Sequence, residues 1–168
     1  LFMELSKPYY KKNSNYISII TPKILAIKSN KNAFFREIPD ESDINNFDFD
    51  FIDLFNVNRI SGNDRFDSST RIDYGLSFLK KKIYKDNNIT LLEVGQSYQL
   101  GRNKYLENNS GINDKFSDIV MNFRLIPHES VKINSYLKID KKDSTIKTAY
   151  TDFLIHQKKS LLSISNIK

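Results

Sequence analysis

The chain has 168 residues, with 26 basic against 20 acidic side chains, a formal net charge of +6 and no cysteine. At 39% hydrophobic residues and a mean hydropathy of -0.49, it holds no apolar run long enough for a transmembrane helix and too few apolar residues for a helical core. The missing cysteines exclude a disulfide framework, thiolate metal ligands and a cysteine nucleophile. The lysines, such as Lys80, Lys81, Lys82, Lys85, Lys141, Lys142, Lys158 and Lys159, alternate with acidic residues like a solvated surface, so no nucleic-acid partner is expected.

Leu1 opens an ordinary segment with no leader before it, so the chain is expected to be an excerpt of a longer protein. Residues 16–28 are the first strand, interrupted by Pro22, and a long loop over about 29–68 follows, acidic and Phe-rich between 37 and 53. Period-two alternation then dominates. In 70–81, Ile72, Tyr74, Leu76 and Phe78 oppose Arg71, Asp73, Gly75 and Ser77. In 90–100, Leu92, Val94, Tyr98 and Leu100 oppose Glu93, Gly95, Ser97 and Gln99. Ile119, Met121, Phe123 and Leu125 oppose Asp118, Asn122 and Arg124 in 117–127, and 131–140 sets Val131, Ile133, Leu137 and Ile139 against Lys132, Asn134, Tyr136 and Lys138. Segments 145–156 and 160–167 complete about seven strands.

Two features choose among all-β architectures. Twelve residues at roughly 3.3 Å each, tilted about 45°, rise about 28 Å, close to the apolar band of an outer-membrane barrel; strands of soluble proteins are usually about half that length. The second face carries Arg71, Asp73, Glu93, Asp118, Arg124 and Lys132, which a sandwich would have to bury at high cost but a wet lumen accommodates. Long connections alternate with short turns, as outer-membrane barrels have long extracellular loops and short periplasmic turns. The expected fold is therefore all-β, an antiparallel meander forming part of a large transmembrane outer-membrane β-barrel. A soluble β-sandwich adhesin and a porin or receptor for small solutes are the alternatives.

One ordered series of residues is more specific. Ile38-Pro39-Asp40-Glu41-Ser42 and Phe47-Asp48-Phe49-Asp50 precede Leu54-Phe55-Asn56-Val57-Asn58-Arg59-Ile60-Ser61-Gly62-Asn63-Asp64-Arg65, which leads into Arg71-Ile72-Asp73-Tyr74-Gly75. Thr21-Pro22-Lys23 stands upstream, and Gly95-Gln96-Ser97-Tyr98 and Ser117-Asp118-Ile119-Val120 stand downstream. Over residues 17–139 this order resembles the LptD family of lipopolysaccharide-assembly proteins. The resemblance implies a barrel in the cell outer membrane, here one partial barrel domain over 1–168, that delivers lipopolysaccharide to the outer leaflet. It implies as partners lipopolysaccharide, an LptE-like plug lipoprotein, a periplasmic lipopolysaccharide-bridge protein and outer-membrane lipids, with no cofactor and no enzymatic activity. Disulfides found in some members have no cysteines to form them here.

The resemblance marks Leu54, Phe55, Asn58, Arg59, Ser61, Gly62, Asp64, Arg65, Tyr74, Gly75, Gly95 and Gln96 as a structural motif of a loop at the lumen. Physically, Gly62 suits a left-handed turn and Arg59, Asp64 and Arg65 offer charge-assisted pairs. Segment 46–65 is expected to fold back on the polar wall, packing Phe47, Phe49, Phe51, Leu54 and Phe55, with Arg59 or Arg65 meeting a carboxylate, Asp64 or Asp73 being nearest in sequence. The acidic group Asp40, Glu41, Asp43, Asp48, Asp50 and Asp53 lacks the spacing of a calcium loop and reads as solvated. His128 and His156 begin no metal or hydrolase motif.

Overall fold

A computed structural model describes residues 1–28, 49–59, 69–84, 88–100, 114–157 and 160–167. Its strands are β1 (Phe2–Ser6), β2 (Tyr9–Lys12), β3 (Tyr16–Ile27), β4 (Arg71–Lys82), β5 (Ile89–Gln99), β6 (Ile119–His128), β7 (Val131–Ile139), β8 (Ile146–Gln157) and β9 (Ser160–Ile167), with one short helix, α1 (Phe51–Leu54), between β3 and β4. All nine strands lie in one sheet, every pairing is antiparallel, and from β3 onward each strand pairs with the next in sequence. The meander is as expected, but the number of strands is not. The sequence reading placed the first strand at residue 16 and missed β1 and β2. Both pair with the same edge of β3 in one continuous register, Ser6 opposite Lys23 and Tyr9 opposite Ile20, so they are one strand interrupted at Lys7 and Pro8. Proline cannot donate to the ladder, and the lysines around it blur the alternation.

Strand length follows from the sequence pattern. The β3–β4 ladder runs without interruption from Tyr16–Lys82 to Ile27–Arg71, and β4, β5 and β8 are 11 or 12 residues long. The connections β3–β4, β5–β6 and β7–β8 emerge at one end of the sheet and β4–β5, β6–β7 and β8–β9 at the other, so both long connections share an end. Among the described residues no helix is long and apolar enough to cross a membrane.

Register sorts the side chains into two faces. One joins Ile24, Tyr74 and Gln96, then Pro22, Leu76, Val94, Met121, Leu137 and Ala149, then Ile20, Phe78, Leu92, Phe123, Ser135 and Thr151, in successive rows across neighbouring strands. Large apolar groups on it stay open: Ile20, Ile24, Leu76, Leu92, Leu162 and Ile164 are each exposed. The other face joins Ile27, Arg71 and Gln99, then Leu25, Asp73 and Ser97, then Lys23, Gly75, Gly95, Val120 and Lys138. The buried core, Phe49, Phe51, Leu54 and Val120 with Phe55 and Tyr136 beside it, lies against this second, polar face.

Candidate functional site

The site grows from the four-residue helix α1. Asp50 caps it, its side chain accepting from the Ile52 and Asp53 amides at 2.7 and 2.9 Å, while the Asp53 carboxylate accepts from the Asp50 N–H at 3.3 Å. This is a reciprocal capping box. Burial pushes the Asp53 carboxyl above its ordinary value; the Asp50 N–H opposes the rise and the Asp50 charge adds to it. The two carboxylates of the acidic segment that the structure describes here, Asp50 and Asp53, are thus used to start a helix.

Capping aims Phe51 and Leu54 at the sheet, where both are buried. They reach it because Gly75 and Gly95 face each other in the β4–β5 register and leave a side-chain-free recess. A Cβ on Gly95 would stand 2.5 Å from Leu54 Cδ2, and one on Gly75 would stand 2.7 Å from the Val94 carbonyl and 2.8 Å from Phe51 Cε2. The Lys23 ammonium lies 5.4 Å from the Phe51 ring centre and 5.6 Å from that of Phe55, and Lys138 lies 5.7 Å from Phe49. Tyr136 donates its hydroxyl to the Phe49 carbonyl at 2.7 Å. Full burial of Phe49, Phe51 and Leu54 contributes about 1.5–3 kcal/mol each and works with the polar contacts of the same stretch, 49–59, to hold it against the sheet.

Beside the helix stands a dry charge cluster. Arg71 Nε donates to Asp73 Oδ2 at 2.8 Å, Arg59 Nη1 lies 3.7 Å from Asp73 Oδ1, and all three side chains are fully buried. Ser97 donates its hydroxyl to the same carboxylate. The Arg71 guanidinium also donates to the carbonyls of Asn56 at 2.6 Å and Val57 at 3.2 Å and to Ser69 Oγ at 3.2 Å. One strand residue thus grips both the loop backbone and the carboxylate beside it. Arg71 and Asp73 were expected to line a wet face; they are dry because the loop roofs them. Farther along the same face Arg124 and Lys132 are exposed, Arg124 donating to Asn134 Oδ1 at 3.0 Å.

A second charge cluster ties the strand ends. Buried Asp118 meets Lys147 at 2.9 Å and Lys141 at 3.9 Å; Lys147 also meets Asp140 at 2.7 Å, and Lys141 meets Asp114 at 2.8 Å. Hydrogen bonds from the Lys147 side chain and the Lys142 N–H hold the Asp140 carboxyl down at about 2.

Of the residues singled out in the sequence, Leu54, Phe55, Arg59, Gly75 and Gly95 come together at the recess and charge cluster. Asn58 sits in the same loop, its amide donating to Asn56 Oδ1 at 3.3 Å. Tyr74 and Gln96 fall on the opposite, apolar face, where Tyr74 donates to Gln96 Oε1 at 2.6 Å and Gln96 donates to the Ser117 carbonyl at 2.8 Å. Ser61, Gly62, Asp64, Arg65 and Phe47 lie outside the described residues. His128 Nδ1 accepts from the Ser130 amide at 3.3 Å.

A protein-family model, LptD, described as LPS transport system D, matches residues 1–168. The chain belongs to the LptD family. The family's work is transport of lipopolysaccharide to the outer membrane, and the nine-stranded antiparallel meander is the fold expected of its barrel. A search of curated proteins gives no match.

Membership does not account for the residues that sequence reasoning passed over. The carbonyl grip of Arg71, the Ser97 hydroxyl and the Tyr136 tie to Phe49 were not foreseen. Their signal was parity: Arg71, Ser97 and Tyr136 occupy the face of Gly75 and Gly95, where any loop seated over the glycines must meet them.

Proposed function

We propose that the chain is a section of the single large barrel domain of an outer-membrane translocon that inserts lipopolysaccharide into the outer leaflet, working with an LptE-like plug lipoprotein and a periplasmic bridge protein. On this reading the apolar rows face lipid and the polar face lines the lumen, where sugar head groups pass through water while acyl chains leave sideways. The observation that carries the reading is the asymmetry of the two faces: one is open and apolar, the other polar and roofed by its own loop through Phe51, Leu54 and the Arg59–Asp73–Arg71 cluster. A barrel in lipid needs that polarity, outward apolar and inward polar.

Leu54, Phe55, Asn58, Arg59, Gly75 and Gly95, with Ser61, Gly62, Asp64 and Arg65 of the same loop, then act as a lumen lid, and Tyr74 and Gln96 brace the wall behind it. Deleting residues 46–65 from the full-length protein should leave a leakier barrel that admits vancomycin. Normal exclusion of vancomycin by cells holding wild-type amounts of the deleted protein defeats the lid. Depleting the full-length protein should withdraw newly made lipopolysaccharide from the cell surface, read by labelling its sugars on whole cells; undiminished delivery contradicts the transport reading.

A further inference from the structure

Between the apolar rows and the short-turn end of the sheet, the outward face changes character. Ile20, Phe78, Leu92 and Phe123 form the last fully apolar row on β3 to β6. The next row brings Lys11, Ser18 and Lys80 side by side on β2, β3 and β4, and the row after it pairs Tyr16 with Lys82. The Lys80 ammonium lies 4.7 Å from the Tyr16 ring centre. Lys7 belongs to the same face nearer the middle of the sheet, and its ammonium reaches 5.6 Å from the Tyr9 ring, toward the short-turn end. Long amines leaning out of an apolar belt toward aromatic rings are how side chains reach a membrane interface.

We propose that Lys11, Ser18, Lys80, Tyr16 and Lys82 form a head-group site for an anionic glycerophospholipid, of the phosphatidylglycerol class, in the leaflet on the short-turn side. This rests on the reading that the apolar rows face lipid. Strands stand about 4.8 Å apart, so Lys11 and Lys80 lie about 10 Å apart with the small Ser18 between them. That gap takes one phosphate within reach of two ammonium groups and a hydroxyl donor. The lipid's chains then lie along Ile20, Phe78 and Leu92, one row away, which a free phosphate could not use. Sign also favours the ligand: on the described strands, Glu4, Asp73, Glu93 and Asp152 all belong to the opposite, polar face, so no strand carboxylate competes in the outward rows.

The test uses full-length protein in nanodiscs of phosphatidylcholine with a minor fraction of phosphatidylglycerol, and counts retained phosphatidylglycerol by native mass spectrometry after mild delipidation. Each lysine at an anionic surface contributes about a fivefold preference, so Lys11→Gln with Lys80→Gln should lower retention about 25-fold, while Lys28→Gln with Lys142→Gln, exposed at the opposite end of the sheet, should leave it unchanged. Retention unaltered by the first pair, an equal fall with the second, or full displacement by soluble glycerol phosphate or an acidic peptide overturns the site. Quenching of a fluorophore at residue 76 by brominated acyl chains reports separately on the wall. Quenching with unaltered retention sinks the head-group site alone, and no quenching sinks the barrel reading beneath it.

Discussion

Replacing Asp73 with alanine should free the loop without dismantling the sheet. The carboxylate is fully buried; it accepts from Arg71 Nε at 2.8 Å and from the Ser97 hydroxyl, and it lies 3.7 Å from Arg59 Nη1. Its removal leaves two buried guanidinium groups with no carboxylate between them, a change that costs about 3–5 kcal/mol. The loss falls on the docking of 49–59, because Arg59 belongs to that segment and Arg71 holds its Asn56 and Val57 carbonyls. Burial of Phe49, Phe51 and Leu54, at about 1.5–3 kcal/mol each, still favours the seated loop, but it should open far more often. At one decade per 1.4 kcal/mol, hydrogen exchange at Leu54, Phe55 and Asn56, whose amides donate to Asp50, Ile52 and Asp53, should accelerate from about a hundredfold to a few thousandfold. Amides in the middle of β4 and β5 should be unaffected. Acceleration of less than about tenfold at the three loop amides would refute the claim that the charge cluster pins the loop.

The glycine recess predicts a ranking: Gly75→Ala should cost more than Gly95→Ala, because its new methyl meets the Val94 backbone oxygen while that of Gly95 meets the movable end of Leu54. Overpacking of this kind costs about 1–3 kcal/mol, and pairing Gly95→Ala with Leu54→Ala should recover part of it in urea unfolding of the refolded protein. Phe123→Arg should impair insertion into liposomes by about 2–4 kcal/mol if the residue lies near the bilayer midplane, whereas Asn122→Ala, on the other face, should be nearly silent; equal folding yields would contradict that. At the β7–β8 corner the Asp140 carboxyl is depressed to about 2. Its contribution is therefore present above the ordinary value of 3.8 and lost as pH falls toward 2. Hydrogen exchange at Lys142, whose amide donates to Asp140 Oδ1 at 2.6 Å, should stay level from neutral pH down to about 4 and rise below it after correction for intrinsic rates, and Asp140→Asn should abolish that rise.

The parts of the fold that alternation encodes were legible. β4, β5, β6 and β7 lie where their apolar and polar residues alternate, and Ile72, Tyr74, Leu76, Phe78, Leu92, Val94, Tyr98, Met121, Phe123 and Leu125, from the apolar halves of those alternations, share one face of the sheet. β1 and β2 escaped because Lys7 and Pro8 break the pattern in the middle of the strand, although the register across the break is continuous. Period two says which face Arg71 and Asp73 occupy but not what covers it. Their dryness depends on α1, whose four residues are too few to show a helical period. The packing of Phe49, Phe51 and Leu54 was foreseeable, since a loop so rich in aromatics needs somewhere to bury them. The lysines carried a similar ambiguity. Read along the chain, Lys11 and Lys80 are separate points on a solvated surface; read across the ladder, they flank Ser18 in one row.

The sidedness of the sheet is the claim on which the rest depends, and spin-label accessibility along β6 measures it most directly. With full-length protein in liposomes and labels placed singly at residues 121 to 125, the account predicts strict alternation: oxygen dissolved in lipid reaches 121, 123 and 125, and a water-soluble nickel chelate reaches 122 and 124. Access of the chelate to all five positions, or alternation in the opposite phase, would contradict it.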